Sequence, residues 1–274
     1  MVTSNYIQSL LKAEPLRQPV LQSMLRDIQL PRASRGLDAG CGIGLQALWL
    51  ADAIGPAGHV TGLDVDPELL LFGEKLVTEA SLSGRITFQE GDIFARLPFE
   101  PNSFDWVWSM DCIGYPAGDL TSTLKELMRV VKPGGRILIS GWSGQQILPG
   151  YTLLEARLNA SCSGYLPFLQ EIKPEQQFLR AAGWFQEAGL DSVKVNTFVG
   201  QVQAPLSEGE RKALEELFEM LWGQPQTGTS PEDWQAFQQL CKPASPDFIL
   251  DQTGYYAFFT YTLFEGMVPN NVAK

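Results

Sequence analysis

The run Gly36-Leu37-Asp38-Ala39-Gly40-Cys41-Gly42-Ile43-Gly44 constrains this chain more than any other stretch. Leu37 closes a short apolar segment, and Leu45-Gln46-Ala47-Leu48-Trp49-Leu50-Ala51 carries apolar residues at helical spacing. The order is therefore strand, glycine turn, helix. Glycines at 40, 42 and 44 remove the side chains that would keep a ligand away and permit positive φ where the chain bends. N–H groups at the start of the following helix then face that ligand, as they do in nucleotide-binding folds.

Two ligand types compete for such a turn. A dinucleotide fingerprint, G-x-G-x-x-G/A, needs a small residue at the third position, and after Gly40 and Gly42 that position is Leu45, too large for close strand–helix packing. A second apolar strand, His59 to Leu63, ends at Asp64, where nucleotide folds place the acid that accepts both ribose hydroxyl protons. Asp66-Pro67-Glu68 reads as a helix N-cap followed by proline in the first turn. A third strand, Arg85 to Glu90, leads into Gly91-Asp92-Ile93. Asp38, Asp64 and Asp92 thus recur at intervals of just under 30 residues, about the length of one βα unit.

The phrase D-A-G-C-G-I-G resembles the first motif of the class I S-adenosylmethionine-dependent methyltransferases, and L-K-E-L-M-R-V-V-K-P-G-G-R-I-L-I resembles the same family further along. The resemblance covers roughly residues 35 to 142. It implies that the glycine loop passes under the amino acid and ribose parts of the cofactor. Asp38 would then lie near the methionine amino group and Asp92 would receive the adenine amine. The cofactor-contacting set it implies is Asp38, Gly40, Cys41, Gly42, Gly44, Asp64, Val65, Gly91, Asp92, Ile93 and Ser109. The fold implied is α/β: a doubly wound, Rossmann-like, mostly parallel seven-stranded sheet with an antiparallel last strand and a helical cap. Residues 1–30 would form a helical lid, 31–145 the cofactor-binding core, and 146–274 the rest of the sheet, with cap insertions at about 146–188 and 205–250.

A fourth strand, Phe104 to Ser109, runs into Met110-Asp111-Cys112, a position that faces the methyl donor in related enzymes. Asp111 and Tyr115 are the proton-acceptor candidates there, with roles as loop hydrogen-bonding groups as the alternative. The sole histidine, His59, starts the second strand at the opposite end and is expected on the surface, away from the chemistry. Lys132-Pro133-Gly134-Gly135 is expected to stop a helix before the strand Arg136 to Ser140, and a later helix is expected over Pro174 to Ala188 with Gly189 as its C-terminal cap. In the N-terminal segment, Pro15 and Pro19 are expected to interrupt the helix, and Tyr6 and Gln18 are read as ordinary packing residues with lid contacts as the alternative. Leu214, Leu217, Phe218, Leu221 and Trp222 form a helical stripe that reads as core or as acceptor pocket.

Bulk properties narrow the partners. Of 274 residues, 45% are hydrophobic, enough for a sizeable core, and a net charge of −11 disfavours a phosphate-binding surface and hence nucleic acid. A small-molecule acceptor is expected; an amine, a phenol, a carboxylate or an activated carbon all fit, and the pattern also resembles the quinone-biosynthesis C-methyltransferases. Cysteines at 41, 112, 162 and 241 lack the paired spacing of zinc or redox sites and are expected as reduced thiols, with no metal. Converging thiols of the arsenite-methylating kind stay open on spacing alone. The N-terminus lacks a signal sequence and no apolar run spans a bilayer, so a cytoplasmic protein is expected. The alternatives are a nicotinamide-dependent reductase and a non-catalytic S-adenosylmethionine-binding protein.

Overall fold

The computed structural model describes residues 2–114, 119–161, 176–224 and 228–270. Seven strands, β1 (Arg35–Ala39), β2 (His59–Asp64), β3 (Ile86–Glu90), β4 (Phe104–Met110), β5 (Val131–Gln146), β6 (Asp191–Gln203) and β7 (Tyr256–Met267), form one sheet in the order β3-β2-β1-β4-β5-β7-β6. The pairs from β3 through β5 are parallel, and the last two strands are antiparallel. Helices α1 (Val2–Ile28), α2 (Leu45–Ile54), α3 (Pro67–Glu79), α4 (Leu120–Val130), α5 (Thr152–Ala160), α6 (Ala181–Ala188), α7 (Glu208–Trp222) and α8 (Pro231–Cys241) alternate with the strands or, for α7 and α8, fill the insertion between β6 and β7. This is the doubly wound, Rossmann-like arrangement the motifs imply.

The chain divides into two compact units, one of Met1–Val20, Ser143–Lys173 and Val199–Tyr261, the other of Leu21–Trp142, Pro174–Phe198 and Thr262–Lys274. The second unit holds the parallel half of the sheet. Its core joins Leu37 and Val107 from the strands to Leu124, Leu127 and Val130 of α4 and to Trp184 and Phe185 of α6, all buried. In α2 the buried residues Ala47, Leu50, Ala51 and Ile54 follow the i, i+3, i+4, i+7 rule that the sequence displays. Gly189 ends α6 in the left-handed conformation, as a C-terminal cap should.

In the first unit, Leu214, Phe218 and Trp222 of α7 are buried, with Phe218 stacked on Trp222 and Trp222 edge-on to Phe237 of α8. The aromatic stripe is therefore core. Buried Glu155 of α5 accepts hydrogen bonds from the Ile147 and Leu148 N–H groups, both at 2.9 Å, and from Gln146 Nε2 at 2.6 Å. It fixes the backbone that leaves β5.

Three local expectations need correction. Pro15 and Pro19 do not interrupt the N-terminal helix; α1 runs through both. Each proline costs about 3 kcal/mol in a helix interior, but Leu16, Val20, Leu21, Met24, Leu25 and Ile28 lie buried along one stripe, at about 1.5–3 kcal/mol per side chain. Nor does Lys132–Gly135 stand between helix and strand. β5 begins at Val131, and the segment bulges out of register between the pairs Phe104↔Val131 and Trp106↔Arg136. Gly134 N–H donates to Val268 O and Val268 N–H to Gly135 O, so the bulge stays hydrogen-bonded. Finally, the described part of the segment expected as a helix from Pro174 holds a 3-10 turn at Phe178–Arg180 before α6.

Candidate functional site

Register brings the acids to one edge. Asp38 lies opposite Gly62 on β2 and Trp108 on β4, and Asp64 lies opposite Glu90 on β3. The carboxyl ends of β1 to β4 consequently align, which is where ligands bind in open parallel sheets. Asp38, the glycine loop, Asp64-Val65, Gly91-Asp92-Ile93 and Ser109 are all gathered there. Tyr115 lies outside the described residues.

Gly40, Gly42 and Gly44 all have positive φ. Gly40 is doubly constrained, because a side chain at its φ of +78° would be strained and a Cβ would collide with the Cys112 thiol. Gly40 and Cys41 N–H groups donate to Leu63 O at 2.8 and 2.9 Å, and Gly42 N–H donates to Asp64 Oδ2 at 2.8 Å. The other carboxylate oxygen of Asp64 accepts the Asp66 N–H at 3.1 Å. Asp64 thus braces the loop with two of about four acceptor positions and keeps capacity for two hydroxyls. Asp66 caps α3 by accepting the Glu68 N–H at 2.9 Å, as its sequence position predicts.

The helix that follows the loop has Gly44, φ +73°, at its N-cap and no side-chain cap, so no side chain competes for the N–H groups of its first turn. Asp38 is 1% exposed. By contrast Val65, beside Asp64, is 67% exposed and offers an apolar surface at the sheet edge. Asp92 is exposed; its Oδ1 accepts the Phe94 N–H at 2.8 Å and holds the turn after β3. Ile93 is buried beneath that turn.

Cys41 is buried and Cys112 half-buried, and both feel the two carboxylates. Burial pushes the Cys112 thiol up to about 12, with Asp64 and Asp38 adding to it and the neighbouring Ser109 hydroxyl opposing it. Cys41 is raised for the same reasons, burial first and Asp38 next. Both stay protonated thiols near neutral pH. Asp111 sits just past β4 with φ +55°; its N–H donates to Ser140 O at 2.9 Å and its Oδ1 accepts the Trp142 N–H at 3.1 Å. His59 begins β2 at the amino end, half-buried, with Nε2 3.0 Å from Thr87 Oγ1. Burial, then Arg35, lowers its pKa. It stands at the end of β2 opposite Asp64. Among the described residues no group of three or more His, Cys, Asp or Glu side chains could hold a metal.

Sequence reasoning missed two supports of this edge. Trp108 on β4 donates from Nε1 to Gln46 Oε1 at 2.8 Å, tying the strand to the first turn of α2. Phe88 on β3 lies against Gly44, Gly62 and Gly73. The signal for the second was present, since an isolated glycine inside a strand or helix marks a close approach.

Residues 37–135 match a family model described as a methyltransferase domain. The chain is 31% identical over 203 residues to demethylmenaquinone methyltransferase of Staphylococcus aureus, an alignment covering 66% of this chain and 78% of that one. A SAM dependent methyltransferase from Aquifex aeolicus superposes with a TM-score of 0.54 at 15% identity, covering 95% of this chain and 97% of the other. The phosphoethanolamine N-methyltransferase 2 of Haemonchus contortus, solved with S-adenosyl-L-methionine, superposes with a TM-score of 0.51 at 20% identity over 96% of this chain and 53% of its own. Nothing in these matches favours a nicotinamide-dependent reductase or a non-catalytic binding protein. The chain belongs to the S-adenosylmethionine-dependent methyltransferases of the class I fold, with S-adenosylmethionine as its cofactor.

Proposed function

We propose that the chain methylates a small organic acceptor in the cytoplasm, with the cofactor held at the carboxyl edge of β1 to β4. One observation carries the reading: three acids and a bare glycine loop share that edge, with a helix start that no side chain caps. In this reading Asp64 binds the ribose hydroxyls and Asp38 the methionine amino group. Asp92 and the N–H of Ile93 take the adenine edge, and Val65 covers the adenine face. Gly40, Cys41, Gly42 and Gly44 line the path beneath the ribose and amino acid, and Gly91 and Ser109 complete the set.

The chemistry supplied by the bound cofactor is an electrophilic methyl on a sulfonium, displaced in line by the acceptor atom. What the chain's residues contribute is position and the removal of water, which together supply much of the acceleration in such a reaction. Asp111 and Tyr115 are the two candidates for proton acceptor where the acceptor must lose a proton, and the place of Asp111 just beyond β4 supports its candidacy. Acceptor recognition is assigned to the N-terminal lid of residues 1–30 and to the insertions at about 146–188 and 205–250. Supporting this, they lie outside residues 37–135, which match the family model. Three unpaired thiols, at 41, 112 and 241, agree with a reducing compartment.

Replacing Asp64 with alanine removes both the loop brace and the ribose acceptors. S-adenosylhomocysteine binding, read by calorimetry, should fall at least a hundredfold while the circular dichroism spectrum is kept; unchanged affinity would refute the assignment. Methyl-labelled cofactor incubated with acceptor pools, quinone-type rings first, tests the reaction itself.

A further inference from the structure

We infer that Phe88 is a positioning residue for the cofactor: its ring is the floor on which the glycine loop and the first turn of α2 rest. The inference builds on the cofactor assignments above but concerns a residue outside them. Three glycines from three different elements surround this one ring. A Cβ on Gly44 would come within 2.6 Å of Phe88 Cζ, one on Gly62 within 2.7 Å of Cδ1, and one on Gly73 within 2.9 Å of Cζ. Gly44 is the left-handed residue before α2, Gly62 lies inside β2, and Gly73 lies inside α3.

Glycine inside a helix is unfavourable relative to alanine, and glycine inside a strand is also unfavourable. Both costs are accepted here because the ring occupies the space. Gly73 is also where Ile43 O, the carbonyl just before Gly44, approaches α3, its oxygen 3.0 Å from the Cβ position. The ring therefore sets the height of the loop from below, while α3 holds it from the side. A smaller residue at 88 would let Gly44 sink and carry the N–H groups of α2 with it. Misplacement of about 1 Å of catalytic groups can cost on the order of a hundredfold in rate.

Phe88→Leu in the full chain, titrated with S-adenosylhomocysteine at 15 °C, is expected to bind at least tenfold more weakly than wild type. Phe104→Leu is the control: Phe104 is a buried aromatic at the amino end of β4 in the same unit. It is expected to lower the melting temperature without weakening binding more than twofold. Equal losses in the two variants, or wild-type affinity in Phe88→Leu, would overturn the inference. Gly73→Ala gives a second reading that does not depend on Phe88→Leu folding, because it raises helix propensity while pushing on the ring. It is expected to weaken binding at least threefold, and wild-type affinity there would also overturn the inference. A wild-type chain unable to bind S-adenosylhomocysteine would sink the cofactor assignments together with this one, whereas binding wild type with unaffected variants sinks this one alone.

Discussion

Two thiols stand beside two carboxylates at the glycine loop, and their chemistry is set by that company. A thiolate at Cys41 or Cys112 would leave water and meet the charges of Asp38 and Asp64, so the neutral form wins in both. With Cys112 raised to about 12, roughly one molecule in 10,000 carries its thiolate at pH 8, against about one in ten for an ordinary cysteine. Alkylation by iodoacetamide at pH 8, followed by peptide mapping, should therefore find Cys112 modified about a thousandfold more slowly than a free thiol. The rate should climb only as the pH passes 10. Prompt labelling at pH 8 in the folded protein would contradict the environment described. With the cofactor placed as proposed, a thiolate here would compete as a methyl acceptor, and the raised pKa values keep the sulfur protonated.

At the scale of the element, α4 shows how the segment after the Asp92 turn is kept in place. Asp119 caps the helix by accepting the Thr121 and Ser122 N–H groups at 3.1 and 3.3 Å. Glu126 accepts the Leu97 N–H at 2.8 Å and pairs with Arg129 at 2.6 Å, while Arg129 donates to Phe99 O at 2.9 Å. The chain that follows the Asp92 turn is thereby tied to the helix. The Arg129 hydrogen bond, first among several causes, holds the Glu126 carboxyl below its usual 4.5. Its folded pKa is depressed, so its stabilisation is present above pH 4.5 and is lost as the pH falls through the folded value. Glu126→Gln should cost about 1–2 kcal/mol at pH 7, measured by urea unfolding, and the difference from wild type should shrink at pH 3. An equal difference at both pH values would mean that the charge is irrelevant. The elements also show what a sequence reveals and what it withholds. The strand–glycine–helix turn, the Asp66 cap and the left-handed Gly189 were legible because each depends on neighbours within four residues. The unbroken α1, the bulge at Lys132–Gly135 and the Phe88 floor were not, because each is decided by partners far along the chain. At Pro15 and Pro19 a buried stripe outweighs local preference, and at Gly62 and Gly73 the glycine is visible while the ring that requires it is not. At the carboxyl edge, the shared placement of the three acids was legible in their spacing, whereas the Trp108–Gln46 tie carries no local signature.

For the whole molecule the question is which unit the cofactor stabilises. Every residue assigned to the cofactor falls within Leu21–Trp142, in the second of the two compact units. A ligand that binds only the folded form adds about 2.7 kcal/mol when present at 100 times its dissociation constant. For a body of 150–250 residues, each kcal/mol raises the melting temperature by about 2–4 °C, so S-adenosylhomocysteine should raise it by roughly 5–10 °C. Scanning calorimetry distinguishes two ways this can appear. If the units unfold together, the single transition moves; if they unfold separately, only the transition of the second unit moves, and a destabilising change in α7, such as Phe218→Ala, shifts the other alone. Asp64→Ala supplies the internal control, since it should abolish the ligand-dependent shift in either case. If the units unfold separately, a shift confined to the transition that Phe218→Ala lowers would place the cofactor outside the edge where the acids converge, and in either case a wild-type scan unmoved by S-adenosylhomocysteine would overturn the assignment.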